Sequence, residues 1–353
     1  MSNVPWFHPD YKISTKPHTF FMICSSPRSG STLLCRTLAE TQLAGLSHEY
    51  FNKTTMLPFS HMYRVDNIYD YIQELMRRKT SPNCVFGFKV LYLDQFEDYL
   101  SKIDLFSIFP NMRVIYSTRN NRLEQAISLS KAFQTGQWES YTRKRKEPAF
   151  DYDHIKSCLS QIERHEMGWH TYFKKNNITP LQITYENIVT NFENVIIDVM
   201  NYIDIEIPED FQVPAPTMRK LANQQSIEWG HKYRVISAVE EVEELIALND
   251  FTSAKDIINE LIQKYPNFPP LLLVNGIIMY RFGAIKRARK EFLKVTNLTP
   301  SNANAHYYLA LTQNQLGETE CAKESVYQSI KLDPSNTEAQ SFYNKLLNKD
   351  NTQ

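Results

Sequence analysis

Cys24-Ser-Ser-Pro-Arg-Ser-Gly-Ser-Thr-Leu-Leu34 follows the apolar run His18-Thr-Phe-Phe-Met-Ile-Cys-Ser25 and opens the helical one Thr32-Leu-Leu-Cys-Arg-Thr-Leu-Ala-Glu40. A buried strand, a turn of glycine and small hydroxyls, then a helix: this succession decides the fold. Glycine among serines lets the backbone curl until several N–H groups converge, and the positive end of the helix adds to their field. Such a turn holds an anion, a phosphate above all. It is not the Walker type, because Ser31 stands where that motif needs lysine, and no later strand ends in an aspartate suited to magnesium. The cation is Arg28 instead, whose planar fork of donors meets a phosphate and the bridging oxygen of a leaving group. The plain alternative is a serine-rich helix cap.

Outward from this turn the chain keeps alternating. Cys84-Val-Phe-Gly-Phe-Lys-Val-Leu-Tyr92, Met112-Arg-Val-Ile-Tyr-Ser117 and Ile178-Thr-Pro-Leu-Gln-Ile-Thr-Tyr185 read as strands. Asn121–Ala132, Tyr152–Lys174 and Asn187–Tyr202 read as helices, the last with Val195, Val199 and Ile203 on one side. That pattern predicts a parallel sheet with helices on both faces. His48–Asp70 and Gln134–Asp151 follow no period and read as variable loops that would shape an acceptor pocket.

The C-terminal third has a different grammar. Ala254, Ala288 and Ala322 are 34 residues apart, as are Pro266, Pro300 and Pro334, and Asn249, Gly283 and Gly317. Ile258, Phe292 and Val326 keep the same interval. The period resembles the tetratricopeptide repeat, a helix–turn–helix unit. Glycine or asparagine permits a left-handed turn, alanine a close helix approach, and proline ends the second helix. Thr337–Asn348 reads as a capping helix.

Composition sets limits on the rest. The 353 residues allow two domains, and 42% hydrophobic with 12% aromatic content is that of folded protein. Lys plus Arg and Asp plus Glu both number 39, so no global charge favours nucleic acid or a membrane surface, and no nucleic-acid partner is expected. Cys24, Cys35, Cys84, Cys158 and Cys321 are scattered, which argues against disulfides or a metal site and suits a reducing cytoplasm. The N-terminal residues lack a signal-peptide core, and no run approaches the ~18 apolar residues of a membrane span. A cytoplasmic location is expected.

Ser25-Ser-Pro-Arg-Ser-Gly-Ser-Thr-Leu-Leu34 resembles the 5′-phosphosulfate loop of sulfotransferases that use 3′-phosphoadenosine 5′-phosphosulfate (PAPS). Ala44-Gly-Leu-Ser-His-Glu-Tyr-Phe51 is similar to the segment after the first helix in the mycobacterial trehalose 2-sulfotransferase family. The likeness continues through Gly87-Phe-Lys89, Gln125-Ala-Ile-Ser128, Gln134-Thr135, Trp138, Glu166 and Gly168-Trp169 to Ala222-Asn-Gln-Gln-Ser-Ile-Glu-Trp-Gly-His-Lys-Tyr-Arg234. It implies an α/β P-loop-like sulfotransferase fold over 19–235 after an N-terminal extension over 1–18, and the 34-residue spacing adds an all-α tetratricopeptide-repeat domain over 236–353.

The resemblance implies sulfuryl transfer from PAPS, released as adenosine 3′,5′-bisphosphate, to a hydroxyl of a carbohydrate or glycolipid, without a metal. Glu49 falls on the family's catalytic carboxylate, and Arg28 would offset charge on the oxygen between phosphorus and sulfur. Ser26, Pro27, Arg28, Ser29, Gly30, Ser31 and Thr32 would surround the 5′-phosphate. Arg119 and Ser128 resemble the family's pair at the 3′-phosphate. Glu124 departs from the family's serine, and is expected to point away or to pair with Arg122. Lys220 opens a segment running to Arg234 that would close over the nucleotide, with Trp229 stacking or, in preference, packing. His48 is an acceptor-pocket residue or a bystander. Lys89 is either a cleft residue at a strand end or a snorkelling edge lysine. Arg143-Lys-Arg-Lys146 is a solvated loop or a guide for an anionic acceptor, and Tyr185-Glu186 reads as structural.

Other readings remain open. Pro27-Arg-Ser-Gly30 also resembles the loop of protein-tyrosine sulfotransferases, and the chain would alternatively be a non-catalytic nucleotide-binding scaffold acting through its repeats. The repeats would extend the fold or recruit a protein partner, and the related family suggests a homodimer.

Overall fold

The computed structural model describes residues 10–11, 16–92, 96, 100–138, 142–216 and 224–350. The chain divides into two units, Met1–Gly230 and His231–Gln353.

Strands β1 (Thr19–Ser25), β2 (Val85–Leu91), β3 (Arg113–Thr118) and β4 (Leu181–Thr184) form a parallel sheet in the first unit, in the order β2-β1-β3-β4. β1 is central and covered on both sides, which is why it reads as a continuous apolar run. Phe20, Met22 and Cys24 enter one layer, where α2 (Lys53–Tyr63), α3 (Ile68–Lys79), α4 (Leu105–Ile108) and α6 (Tyr152–Lys175) pack. Phe21 and Ile23 enter the other, beneath α1 (Ser31–Glu40), α7 (Tyr185–Thr190) and α8 (Phe192–Tyr202). From β1 the chain goes to β2 on one side, and from β3 to β4 on the other. That reversal opens a crevice at the carboxyl ends of β1 and β3. The Ser26–Gly30 turn leaves β1 at this crevice, and α5 (Arg122–Thr135) follows β3 there.

Two expectations need correction. His48–Asp70 is not a loop throughout: Asn52 caps α2 by accepting from the Thr54 N–H at 3.0 Å, and Asn67 caps α3 by accepting from Asp70 N–H at 2.9 Å. Pro58 inside α2 hides this helix from a sequence reading, but Phe59 and Tyr63, one turn apart, bury together. The single helix expected over Asn187–Tyr202 is two. α7 starts earlier, at Tyr185, and the backbone leaves the helical region at Asn191 (φ −132°, ψ 46°).

In the second unit, α9 (Gln224–Ala247) supplies its C-terminal part, followed by α10 (Phe251–Lys264), α11 (Pro269–Arg281), α12 (Ile285–Leu298), α13 (Ala303–Gln315), α14 (Thr319–Leu332) and α15 (Thr337–Asp350). α10, α12 and α14 start 34 residues apart, and so do α11, α13 and α15. Ala254, Ala288 and Ala322 are fully buried, beside Ile258, Phe292 and Val326. Asn249, Gly283 and Gly317 take φ of 62°, 76° and 80°, the left-handed turn that the repeat demands. A Cβ on Gly283 or Gly317 would meet nothing within 4 Å, so backbone conformation alone selects glycine there. Among the described residues no helix is long and apolar enough to cross a membrane.

Candidate active site

Residues 26–30 join β1 to α1. Gly30 caps the helix with φ 87°, and a Cβ there would come within 2.7 Å of the Tyr185 ring. Arg28 also has a left-handed backbone (φ 66°), an uncommon state for a side chain with a Cβ. Its Nε donates to Ser128 Oγ at 2.9 Å, and its guanidinium also donates to the Trp138 carbonyl.

The turn is fastened from behind. Gln125, fully buried on α5, donates from Nε2 to Ser26 Oγ at 2.9 Å and to the Pro27 carbonyl at 2.8 Å. Ser117 Oγ donates to the Ser29 carbonyl at 3.2 Å, and Ser25 Oγ to Ser31 Oγ at 2.9 Å. Trp169 Nε1 holds the Ser25 carbonyl at 3.0 Å. Ser26 and Ser29 therefore serve the frame with their side chains, and neither they nor Pro27 line the cleft.

In front of the turn lies a cleft of about 620 Å³. Gly30, Ser31, Thr32 and Arg28 line it on one side, and Glu124, Ser128, Lys131 and Thr135, a single stripe of α5, on another. Tyr185 and Ser226 complete it. Among the described wall residues Arg28, Arg119, Lys131 and Lys144 are cationic, and Glu124 is the one carboxylate. A wall of that balance favours a ligand with more than one negative charge.

Arg119 follows β3 and is 7% exposed. Its Nη2 donates to Glu124 Oε2 at 2.6 Å, its guanidinium lies 4.6 Å over the Tyr185 ring, and its buried Nε has no hydrogen-bond partner. Glu124 thus neither points away nor pairs with Arg122. Arg122 pairs with the buried Glu166 instead, at 2.7 Å, because α5 turns Glu124 toward the crevice and Arg122 toward α6. Glu186 accepts from the Asn120 and Asn121 N–H groups at 3.0 and 3.2 Å. Burial works against its ionised form, but these donors and Arg119 hold its carboxyl below the usual range. Glu186 thus braces the backbone between β3 and α5, and Tyr185 is part of the cleft wall.

Lys131 donates to Ser226 Oγ at 2.8 Å, with its ammonium 4.6 Å over the Trp229 ring. Burial first, then the neighbouring Lys144 charge, push it down to about 8, against a smaller pull from Glu228. Trp229 is buried against Phe150 and packs. Arg143, Lys144, Arg145 and Lys146 are exposed, with Lys144 reaching the cleft. Lys220 lies outside the described residues.

Glu49 and Lys89 meet on the flank of the turn, in a small hollow beside the main cleft. Lys89 is 5% exposed, which removes the snorkelling alternative. Its Nζ lies 3.0 Å from Glu49 Oε2 and donates to Thr32 Oγ1 at 2.9 Å. Asn52 Nδ2 donates to Glu49 Oε1 at 2.9 Å. His48 is half-buried with its ring 5.6 Å from that of Tyr50, and is not a wall residue of the cleft.

Gln125, Tyr185 and Lys131 are the site residues that sequence reasoning missed. Lys131 shares a stripe of α5 with Glu124, Ser128 and Thr135, but polar residues off that stripe, Gln125 and Ser130 among them, hide it in the sequence.

Fold and crevice define an α/β domain with a cation-rich cleft in front of the Ser26–Gly30 turn and a carboxylate beside that turn. The family described as Stf0 sulphotransferase matches residues 20–235, and the chain belongs to that family. It is similar to the trehalose 2-sulfotransferase of Mycolicibacterium smegmatis, at 25% identity over 260 aligned residues covering 61% of this chain and 94% of that protein. The trehalose 2-sulfotransferase of Mycobacterium tuberculosis gives 25% over 254 residues, with the same two coverages. Among solved structures, the first TPR domain of human RPAP3 aligns with 33% of this chain and 96% of its own, at 19% identity and a TM-score of 0.31. That likeness carries no weight; the repeats stand on their 34-residue spacing.

Proposed function

We propose that the first unit transfers a sulfuryl group from PAPS to a hydroxyl of a carbohydrate or glycolipid. The single observation that carries this reading is the Lys89 ammonium held between Glu49 Oε2 (3.0 Å) and Thr32 Oγ1 (2.9 Å), which sets a carboxylate beside the anion turn. The two trehalose 2-sulfotransferases support a sugar acceptor.

PAPS supplies an activated sulfuryl group on its 5′-phosphate. The Gly30–Thr32 backbone and the Ser31 hydroxyl bind that phosphate at the N-terminus of α1. Glu49 takes the proton of the acceptor hydroxyl as its oxygen bonds to sulfur. Arg28 faces the bridging oxygen, which keeps the electron pair when its bond to sulfur breaks, and offsets the growing charge. Lys89 aims Glu49 at the turn. Arg119, Ser128 and Lys220 attend the nucleotide's 3′ end, and His48 the acceptor. The donor fits the cleft in charge, and the buried, unpartnered Nε of Arg119 is a donor awaiting an acceptor.

The test is to incubate the full chain with PAPS and fractionated extract of its host, then search by mass spectrometry for the gain of one SO₃. A gain in sugar or glycolipid fractions supports the reading. A gain on protein tyrosines moves the acceptor to the alternative class. Turnover that needs ATP and magnesium, or no transfer to any fraction, overturns it.

A further inference from the structure

Glu124 takes one positive charge out of the cleft, and the same helix puts one back. On α5 Ser128 lies one turn after Glu124 and one turn before Lys131, so the three side chains share a face. A negatively charged group resting over Ser128 lies between Arg119, whose charge Glu124 offsets at 2.6 Å, and Lys131. The Lys131 ammonium is positioned from two directions, by Ser226 Oγ at 2.8 Å and the Trp229 face at 4.6 Å. These two contacts fix the ammonium in place, and Glu228 is the carboxylate whose field reaches it. Lys144 borders the same cleft and raises the positive field there.

We infer that Lys131, oriented by Ser226 and Trp229, is a binding residue for the second phosphate of the donor nucleotide, the group that separates a 3′,5′-bisphosphate from a 5′-monophosphate. This rests on the reading of the cleft as a PAPS site. The geometry favours the nucleotide over the acceptor because Lys131 lines the main cleft, whereas Glu49 lines a separate small hollow. Lys131 is a specificity residue: it distinguishes nucleotides by charge and does not touch the reacting sulfur.

The experiment is isothermal titration of the full chain with adenosine 3′,5′-bisphosphate and with adenosine 5′-monophosphate at fixed salt and pH 7. Lys131→Met keeps the aliphatic stem over Trp229 and removes the charge; Lys131→Arg keeps the charge. Lys131→Met is expected to weaken the bisphosphate about tenfold or more while the monophosphate moves less than about twofold, the loss expected for one charge-assisted contact. Lys131→Arg is expected to restore most of the difference. Equal losses for both nucleotides, or no loss for either, overturn the inference while the PAPS reading stands. Wild-type protein that binds neither nucleotide overturns both.

Discussion

Lys89 Nζ lies 3.0 Å from Glu49 Oε2, and the same ammonium donates to the Thr32 hydroxyl in the first turn of α1. A carboxylate half-removed from water is thereby tied to the turn that would hold the donor. Replacing it with Glu49→Gln keeps size and hydrogen bonding but removes the base. The turnover number for transfer is expected to fall about 10²- to 10⁴-fold. Affinity for adenosine 3′,5′-bisphosphate is expected to stay within about twofold, since Glu49 is not a wall residue of the main cleft. Parallel kinetics and titration check the split.

Glu124 predicts a gain. Glu124→Gln still offers an oxygen to Arg119 but no negative charge. Bisphosphate affinity is expected to rise about five- to tenfold, with a smaller change for the monophosphate. The salt dependence of binding should steepen, because one more cation is available to the ligand. Titrations at two ionic strengths measure both effects.

Lys131 makes binding depend on pH. Burial and the nearby Lys144 hold its ammonium down to about 8, with Glu228 pulling weakly the other way. A lysine is charged below its pKa, so its help to an anion is nearly complete at pH 7 and is lost as the pH rises through about 8. Bisphosphate affinity is expected to fall by up to about tenfold per pH unit once that value is passed. Lys131→Arg, which stays charged, should flatten the curve between pH 7 and 9. A wild-type curve as flat as that of the arginine variant contradicts this account.

Gly283 isolates a backbone effect. Its φ of 76° is left-handed, and no atom lies within 4 Å of where a Cβ would stand. Gly283→Ala is expected to destabilise the helical unit by about 1–2 kcal/mol, all of it conformational. Gly283→Asn should cost much less, because Asn249 already fills the corresponding turn at φ 62°. Thermal unfolding of the three proteins gives the comparison.

The parts legible in the sequence were those encoded locally. β1, its turn and α1 are contiguous, and the apolar run, Gly30 and the hydroxyls each act within a few residues. The repeats were legible because one physical demand recurs at a fixed interval. Pro58 concealed α2, since a proline reads as a breaker even where capping and burial outweigh it. The partner of Glu124 was not legible: Arg119 is five residues away, but the side chains meet only because the β3–α5 turn bends them into one crevice. Tyr185 covers Gly30 across more than 150 residues of chain, a contact with no local trace. A lone lysine such as Lys131 looks like any surface lysine until Ser226 and Trp229 arrive from α9.

Gln125 gives the turn a property of its own. Its amide, sealed in the interior, grips Ser26 and Pro27 from a helix that follows a different strand. The curve of that backbone is thereby cast once, as the polypeptide folds, and stays set like a mould between visits. An arriving anion meets donors already converged and loses little freedom of the protein in being held.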